Sequence, residues 1–232
     1  MRMEALLLAF MLVVMASAVM AATPVEANVT SATDMGTYNA TVTNPEQNVN
    51  AGHVYNITVD VESVTKYWAG IIGTVNETAV LGSGSNKLYS WTLSKGGYVF
   101  LVIGNDPTNV NWSGLDGGVS TSDFTTLGVW SADPGSDQDF EATYSSASNQ
   151  CDSINTELGI SPTNAPEYVE LNSMDATPVT WTTCAYKDAN NVVFGVNVAS
   201  GTAFDGSSTV DFESVVPAKD DGTATTYYIY KV

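Results

Sequence analysis

Apolar and polar residues alternate in short runs along most of this chain, and this alternation constrains the fold more than any other feature. Ile57, Val59 and Val61, for example, alternate with polar residues, which is the pattern of a strand with one buried face. Turn residues recur every ~8–12 positions between such runs, and no helical period is sustained. The pattern predicts an all-β fold, an antiparallel β-sandwich with an immunoglobulin-like or jelly-roll-like topology.

Eleven strands and one short helix are predicted within this fold, and the first strand is the alternating run that begins at Val54. The continuous apolar run YVFLVIG at 98–104 predicts a central strand that is buried on both faces. The helix is predicted at 151–159, where Asp152 or Ser153 would cap it and Gly159 would end it. The other strands are predicted at 66–75, 78–82 and 87–93, which would form a three-stranded meander, and at 98–104, 127–130, 140–144, 178–186, 192–198, 209–216 and 223–232.

The first 22 residues have the features of a secretory signal peptide. One arginine precedes an apolar run from Ala5 to Val14, and small residues follow it, with a cleavage position after Ala21 or Ala18. The apolar stretch is also about as long as a minimal membrane span, so an uncleaved anchor is the alternative. We therefore expect export through a Sec-type pathway and an extracellular or cell-surface location.

Residues 23–50 are polar and weakly alternating, and they predict an extended arm in front of a β-sandwich domain at 51–232. Such an arm could donate a strand to the next subunit, or it could be the first strand of its own sheet. The donor-strand hypothesis rests on the alternating residues Thr37, Tyr38, Ala40 and Val42.

The charge balance limits the partners of the chain. The net charge is −18, and after the leader only six lysines and no arginine remain. Because binding to phosphate backbones needs clustered basic residues, nucleic acid and anionic lipid are excluded as partners. The acidity indicates a solvated exterior, with divalent-cation binding as the alternative reading.

Cys151 and Cys184 are the only cysteines. In an exported protein, an isolated pair predicts one disulfide.

Five N-x-[ST] sequons predict glycosylation, and all lie in the first half of the chain: Asn28, Asn39, Asn56, Asn76 and Asn111. The alternative is that none of them carries a glycan.

Four carboxylates fall within nine residues of a predicted loop: Asp133, Asp137, Asp139 and Glu141. Oxygen ligands at such spacing suit Ca²⁺, although the order of residues differs from an EF-hand loop. The alternative is an acidic surface turn. Calcium is the one cofactor that the sequence suggests.

Five tryptophans could supply a platform for stacking sugars, but most lie on predicted strands, where packing in the core is expected. Trp112, in the loop NVNWSG, is predicted to be exposed and is the candidate ligand-binding residue.

No catalytic residue is predicted. The chain has a single histidine, His53, and no G-x-S-x-G sequence. We therefore expect a protein that is not an enzyme.

Several segments together resemble a group of archaeal exported surface proteins. They are KYWAGIIGTVNETAVLG, NKLYSW, VVFGVNV, FDG, VDFESVVP and TTYYIYKV, which cover about Trp68–Trp91 and Val192–Val232 and leave the cysteine-containing middle unmatched. Members of that group look like β-rich cell-surface or appendage subunits. The resemblance implies an archaeal envelope or extracellular setting, and it carries over no catalytic residue.

The combined expectation is an extracellular structural subunit of a surface filament, a pilus-like fibre or a surface layer. It would assemble with itself or with other surface proteins by β-strand addition. The main alternative is a secreted adhesin or carbohydrate-binding sandwich, with calcium as its optional cofactor and glycans as its partners. A secreted enzyme is the third reading.

Overall fold

The computed structural model describes residues 23–30, 32, 34–35, 65–83, 85–146, 149–173 and 179–232. The predicted leader, the donor-strand residues Thr37, Tyr38, Ala40 and Val42, the sequons at Asn39 and Asn56, and His53 lie outside these ranges. The same holds for the alternating run around Val59. Those predictions stay predictions.

Thirteen strands and three α-helices make up the described part of the chain. The strands are β1 (Val25–Glu26), β2 (Trp68–Gly73), β3 (Thr78–Ser83), β4 (Asn86–Thr92), β5 (Tyr98–Gly104), β6 (Ser145–Ser146), β7 (Glu167–Asn172), β8 (Thr180–Lys187), β9 (Asn191–Asn197), β10 (Gly201–Thr202), β11 (Thr209–Val210), β12 (Phe212–Pro217) and β13 (Tyr228–Lys231). The helices are α1 (Thr121–Thr126), α2 (Phe140–Thr143) and α3 (Asp152–Leu158).

Seven strands form one antiparallel sheet in the order β1-β13-β5-β9-β8-β7-β6. The predicted central strand is β5, which pairs with β9 along its whole length and with β13 on its other side. The hairpin predicted across 178–198 is formed by β8 and β9. Both outer strands, β1 and β6, are only two residues long, so they cover only part of their neighbours β13 and β7.

A second layer covers one face of the large sheet. β2 and β12 form an antiparallel ribbon, and β12 packs across β8 and β9. Alternate residues of β5, namely Val99, Leu101 and Ile103, point into the core between these layers, together with Phe124 of α1 and Phe140 of α2. Two antiparallel sheets facing each other confirm the predicted all-β, sandwich-like fold.

The opposite face of the large sheet is covered by α3. Phe100 and Val102 of β5 pack there with Ile154 and Leu158 of the helix, because consecutive strand residues point to opposite faces. The predicted disulfide is confirmed: Cys151, just before α3, is bonded to Cys184 of β8, with 5.9 Å between the Cα atoms. This disulfide links the start of α3 covalently to the large sheet.

α3 ends at the predicted glycine, but its N-cap differs from the prediction. Gly159 ends α3 with a φ of 65°, a left-handed conformation that glycine adopts without a steric penalty. The residue at the N-cap is Cys151, and no side chain caps the helix there. The prediction that Asp152 or Ser153 caps the helix was therefore wrong.

Two segments predicted as strands are not strands. Residues 140–143 form α2, because the Asp139 carboxylate accepts a hydrogen bond from the Ala142 N–H and starts a helical turn. Phe140 and Tyr144 then stack on one side, with ring centroids 4.6 Å apart. Residues 127–130 form the turn after α1.

The predicted three-stranded meander is also wrong in its pairing. β3 pairs with β4, but β2 pairs with β12, which lies more than a hundred residues further along the chain. The predicted strand at 209–216 is interrupted at Asp211, so β11 and β12 belong to different two-stranded sheets.

Candidate functional site: an anchored apolar hairpin

The β3–β4 hairpin is the part of the described structure that differs most from an ordinary soluble surface. Its two strands pair only with each other, with Ala79 opposite Trp91 and Leu81 opposite Tyr89. The ladder shifts register after Leu81, which leaves Leu88 as an extra residue. An isolated two-stranded sheet is only marginally stable in water, so the hairpin needs support from elsewhere.

Large apolar side chains are exposed on this hairpin. Leu88 is 79% exposed, Tyr89 58% and Trp91 47%, and the rings of Tyr89 and Trp91 form an edge-to-face pair 4.8 Å apart. We call the exposed apolar residues of this region the hairpin patch: Val80, Leu81, Leu88, Tyr89, Trp91 and Leu93. Concentrations of exposed apolar side chains mark interaction sites more often than ordinary surface does.

The two faces of the hairpin differ in character. Side chains of directly paired residues share a face, so Ala79, Leu81, Tyr89 and Trp91 form one apolar face. The pair Val80 and Ser90 lies on the other face. A flat apolar face on a protruding hairpin is suited to packing against another protein surface.

The base of the hairpin is anchored by one buried carboxylate. Asp211 Oδ2 accepts hydrogen bonds from the Val75 N–H at 2.8 Å and from Lys95 Nζ at 2.7 Å. These two residues flank the hairpin on its entering and leaving sides. Ser200 Oγ donates to the other carboxylate oxygen at 2.6 Å.

A second ion pair joins the hairpin base to the large sheet. Lys231 Nζ of β13 lies 2.6 Å from Glu77 Oε1, and both side chains are largely buried. Two ion pairs, Lys95–Asp211 and Lys231–Glu77, therefore join the base of the hairpin to the rest of the sandwich.

Hydrogen bonding also changes the acidity of Asp211. Burial alone would raise the pKa of this carboxyl, but the hydrogen bonds from Lys95, Ser200 and the Val75 N–H outweigh burial and hold the pKa below its ordinary value of 3.8. The anchor is therefore ionised at neutral pH.

The charge of the hairpin region is opposite to that of the whole protein. Residues 65–95 contain three lysines, Lys66, Lys87 and Lys95, and one acidic residue, Glu77. The complete chain has 7 basic and 25 acidic residues. Lys95 is paired with Asp211, so Lys87 is the one charged residue within β3 and β4 themselves.

Sequence analysis did not find this site. Trp91 was predicted to pack in the core like the other strand tryptophans, and that prediction was wrong, whereas Trp130 and Trp181 are buried as expected. The runs TAVLG and KLYSWTL flank the turn residues GSGSN, a pattern that predicts a hairpin but does not show whether its apolar residues are buried.

Three of the predicted glycosylation sites lie within the described residues. Asn28, Asn76 and Asn111 are all exposed. Asn76 lies directly before the hairpin, and Asn111 accepts a hydrogen bond from the Ser113 hydroxyl of its own sequon at 3.3 Å. All three side chains are placed where a glycan would extend into solvent.

The predicted calcium residues have structural partners within the protein. Asp139 caps α2, Asp133 accepts from the Gly135 N–H at 2.8 Å, and Glu141 accepts from the Thr121 hydroxyl at 2.6 Å. Asp133, Asp139 and Glu141 line a shallow depression of about 350 Å³, and Asp137 does not. In the described ranges, no three carboxylate, histidine or cysteine side chains are grouped so that they could hold a metal ion.

Trp112 was predicted to be exposed, but its side chain is half-buried. It lies in a 3₁₀ turn, Trp112–Gly114, and its ring packs edge-to-face on Phe100 at 5.3 Å and on Tyr230 at 5.1 Å. Its environment is the edge of the core under α3.

Two carboxyl groups have raised pKa values. Burial raises the pKa of Glu167 and of Glu213. Each holds a loop in place: Glu167 accepts from the Val119 N–H at 3.1 Å, and Glu213 accepts from the Phe204 N–H at 2.7 Å. Both carboxyl groups therefore have structural roles.

No family model matches the chain, and no curated protein and no solved structure matches it. Within the described ranges, no helix has the length and apolar character needed to cross a bilayer. The disulfide is compatible with an extracellular protein.

Proposed function

We propose that this chain is an extracellular structural subunit that assembles with other subunits through the β3–β4 hairpin. The observation that carries the proposal is the hairpin patch, whose apolar side chains are exposed on a base anchored by Asp211 and Glu77. Burying such a patch against a neighbour would remove apolar area from water at about 25 cal/mol per Å². Anchoring lowers the entropic cost of docking.

The backbone of the hairpin supports association by strand addition. Each strand of the hairpin has one neighbour in the described structure, so its outer edge can pair with a strand from another chain. Open edges also exist on β7 and on the β2–β12 ribbon, but these strands carry none of the large exposed apolar side chains that the hairpin has. A surface filament, a pilus-like fibre or a surface layer, as the resemblance to archaeal surface proteins implies, would use such a contact repeatedly.

The experiment compares the exported, purified protein with variants of the hairpin patch. We expect the wild-type chain to form filaments or sheets visible by electron microscopy and to sediment as large species as its concentration rises. The double substitution Tyr89→Ser with Trp91→Ser should leave it monomeric. Phe204→Ser, which removes an aromatic side chain that is 57% exposed elsewhere, is the matched control and should assemble normally.

A wild-type chain that stays monomeric at every concentration, in the presence and absence of salt, contradicts the proposal. Near-ultraviolet circular dichroism of each variant shows whether the sandwich still folds, so that a loss of assembly can be assigned to the patch.

The alternative is a carbohydrate-binding module, and one observation favours it. Tyr89 and Trp91 present adjacent exposed rings, and aromatic faces are suited to packing against sugars. Under this alternative, tryptophan fluorescence of the wild-type chain shifts with a glycan from a panel, and the shift is lost in Trp91→Ser while Trp112→Phe retains it.

A further inference from the structure

We infer that the β3–β4 hairpin docks on the open edge of β7 in a second copy of this chain, so that the hairpin of one subunit extends the large sheet of the next. The inference rests on the proposed function and names the partner surface. It follows from the backbone groups that the two edges turn outward, from the side chains that their pairing brings together, and from opposite charges.

One border of the large sheet is open beyond β6. β6 covers only the first two residues of β7, so residues 169–172 have no strand beside them in the described structure. The Ser173 N–H donates to the Val179 carbonyl at 2.8 Å, and hydrogen-bonded pairs alternate along an antiparallel ladder. Every second residue of β7 therefore bonds to β8, and the backbone N–H and C=O groups of Glu170 and Asn172 point outward.

The outward groups of the hairpin follow from the same alternation. At the hairpin base, the Leu93 N–H donates to the Glu77 carbonyl at 3.0 Å. The residues of the apolar face are therefore the ones that bond across the hairpin, up to the register shift. The outward backbone groups belong to the residues between them, such as Val80 of β3 and Ser90 of β4.

Antiparallel pairing of the two edges places apolar residues beside apolar residues. Residues with outward groups then lie opposite each other, and opposite residues share a face. Ser90 shares a face with Glu170 in this pairing, and Trp91 lies on the face of Val169 and Leu171. Because Val169 and Leu171 are partly buried and pack against the core, the apolar face of the hairpin continues the inner face of the neighbouring sandwich.

The edges of the β2–β12 ribbon do not offer this arrangement. The Ala218 N–H donates to the Tyr67 carbonyl at 2.7 Å, so the outward groups of β2 belong to residues such as Trp68. The Trp68 ring packs against the core, and pairing there would turn the apolar face of the hairpin away from it. On β12, the Val215 and Pro217 carbonyls already accept hydrogen bonds from tyrosine hydroxyls.

The two edges also carry opposite charges. Lys87 is the one charged residue of β3 and β4, and Glu170 is the one charged residue of the open stretch of β7. Both side chains are exposed, and neither belongs to an ion pair among the described residues. Opposite charges near a contact favour the correct pairing and speed association.

Two hairpins could also pair with each other, but that contact is less favourable. Pairing at an edge covers no face, so the joined hairpins would leave both apolar faces in water, and their sheet would carry Lys87 of both copies. The hairpin and the β7 edge are different surfaces, so their contact is heterologous. A heterologous contact that does not close into a ring produces an open filament.

The first test removes an outward N–H from β7. Glu170→Pro deletes this donor, and proline is accepted on an edge strand where the N–H faces solvent. We expect this variant to remain monomeric in sedimentation velocity. Glu170→Gln retains the N–H and is the matched control, which should still assemble.

Mixing variants tests whether the two surfaces are partners. The hairpin variant carries Tyr89→Ser and Trp91→Ser, and it should be monomeric alone, as should Glu170→Pro. An equimolar mixture should form 1:1 dimers and grow no further, because the hairpin of one variant and the β7 edge of the other remain intact. Phe204→Ser should polymerise like the wild type.

Cysteine cross-linking tests the contact in chains that still assemble. Ser90→Cys and Val80→Cys each place a thiol on one outer edge of the hairpin, and one of them should form a mixed disulfide with Glu170→Cys of a second copy under mild oxidation. Ser207→Cys, on an exposed turn, is the control and should not cross-link to Glu170→Cys. The two native cysteines are already bonded to each other.

Exchange of charges tests the same pairing. Lys87→Glu should weaken association several-fold at low salt, and a mixture in which the partner carries Glu170→Lys should recover it. Raising the salt concentration should reduce both effects, since exposed charges are screened over about 8–10 Å at 0.1–0.15 M salt.

The outcomes separate this inference from the proposed function. If the wild type assembles but Glu170→Pro assembles equally, or if neither hairpin cysteine cross-links to Glu170→Cys, the β7 inference is overturned and the proposed function stands. Dimers of Glu170→Pro alone would assign the contact to two hairpins and overturn it as well. If near-ultraviolet circular dichroism shows that Glu170→Pro does not fold, the cross-links decide. If the wild type never assembles, both proposals fall.

Discussion

Lys95 Nζ and Asp211 Oδ2 lie 2.7 Å apart, at the point where the hairpin leaves the sandwich. The same oxygen accepts the Val75 N–H, on the other side of the hairpin. Asp211 is itself almost fully buried, so a single carboxylate fixes both ends of a protruding element. Together with the ion pair between Lys231 and Glu77, Asp211 therefore links the hairpin base to residues that are distant from it in sequence.

We predict that Asp211→Asn loosens the hairpin and moderately destabilises the sandwich. An amide retains the shape of the side chain but loses the charge-assisted hydrogen bonds from Lys95 and the Val75 N–H, which should cost about 1–3 kcal/mol. Urea denaturation measures the loss. Hydrogen exchange should speed up across residues 78–92 more than in β5. Asp205→Asn, on an exposed turn, is the control and should change stability by less than about 0.5 kcal/mol.

Acid should act on the same anchor. The folded state holds the pKa of Asp211 below 3.8, so its contribution is fully present above that pH. It is lost as the pH falls from 3.8 toward the lower pKa of the folded state. The stability of the wild type should therefore fall more steeply in this window than that of Asp211→Asn, as measured by urea denaturation at several pH values. Parallel curves for the two proteins would show that folding does not lower the pKa of Asp211.

The effect of Glu213→Gln on stability should depend on pH in the direction opposite to the effect of Asp211→Asn. Burial raises the pKa of Glu213 above its ordinary value of 4.5, so the folded state of the wild type loses stability as the pH rises from 4.5 through the raised pKa. Glutamine retains the acceptor for the Phe204 N–H and carries no charge. The stability of the variant relative to the wild type should increase across this window, and a constant difference would contradict the assignment.

Trp112→Ala should destabilise the domain even though its ring is partly exposed. The substitution removes two edge-to-face contacts, with Phe100 and Tyr230, each worth about 0.5–1.5 kcal/mol beyond area burial. A loss of about 1–3 kcal/mol in urea denaturation is expected. Trp91→Ala is the matched control, because the Trp91 ring contacts only Tyr89 among aromatic rings in the described structure, and its effect should be much smaller.

Removing the disulfide should cost more than any of these changes. Cys151 and Cys184 are 33 residues apart, and a loop of this size is worth about 3–4 kcal/mol in the chain-entropy model. The double substitution Cys151→Ala with Cys184→Ala should lower the free energy of unfolding by that amount, and wild-type protein under reducing conditions should show a similar loss. Reductant should not change the variant further.

Sequence patterns correctly predicted the strands, the helix end and the disulfide that are determined by few residues. The apolar run at 98–104 placed β5, and the turn between Lys187 and Asn191 placed the β8–β9 hairpin. Gly159 marked the end of α3, and the isolated cysteine pair gave the disulfide. In each of these cases, the residues that determine the structure are neighbours in sequence or are the only candidates.

The wrong predictions concern segments whose secondary structure or strand pairing is determined by tertiary packing. FEATY alternates like a strand, but Phe140 and Tyr144 lie one helical turn apart and both pack into the core once Asp139 caps the turn. The pairing of β2 with β12 depends on contacts between distant segments, which no local pattern encodes. The hairpin patch is exposed because no other described segment packs over it. A strand pattern in the sequence does not distinguish such an exposed strand from a buried one.

The two-residue outer strands of the large sheet have a consequence for crowded surroundings. β6 pairs only with Glu167 and Tyr168, so residues 169–172 of β7 have no strand beside them on that border in the described structure. Identical neighbours at high density would therefore meet open backbone along the sheet as well as along the hairpin. The exposed apolar side chains of the hairpin, which β7 lacks, would then decide which of these contacts forms.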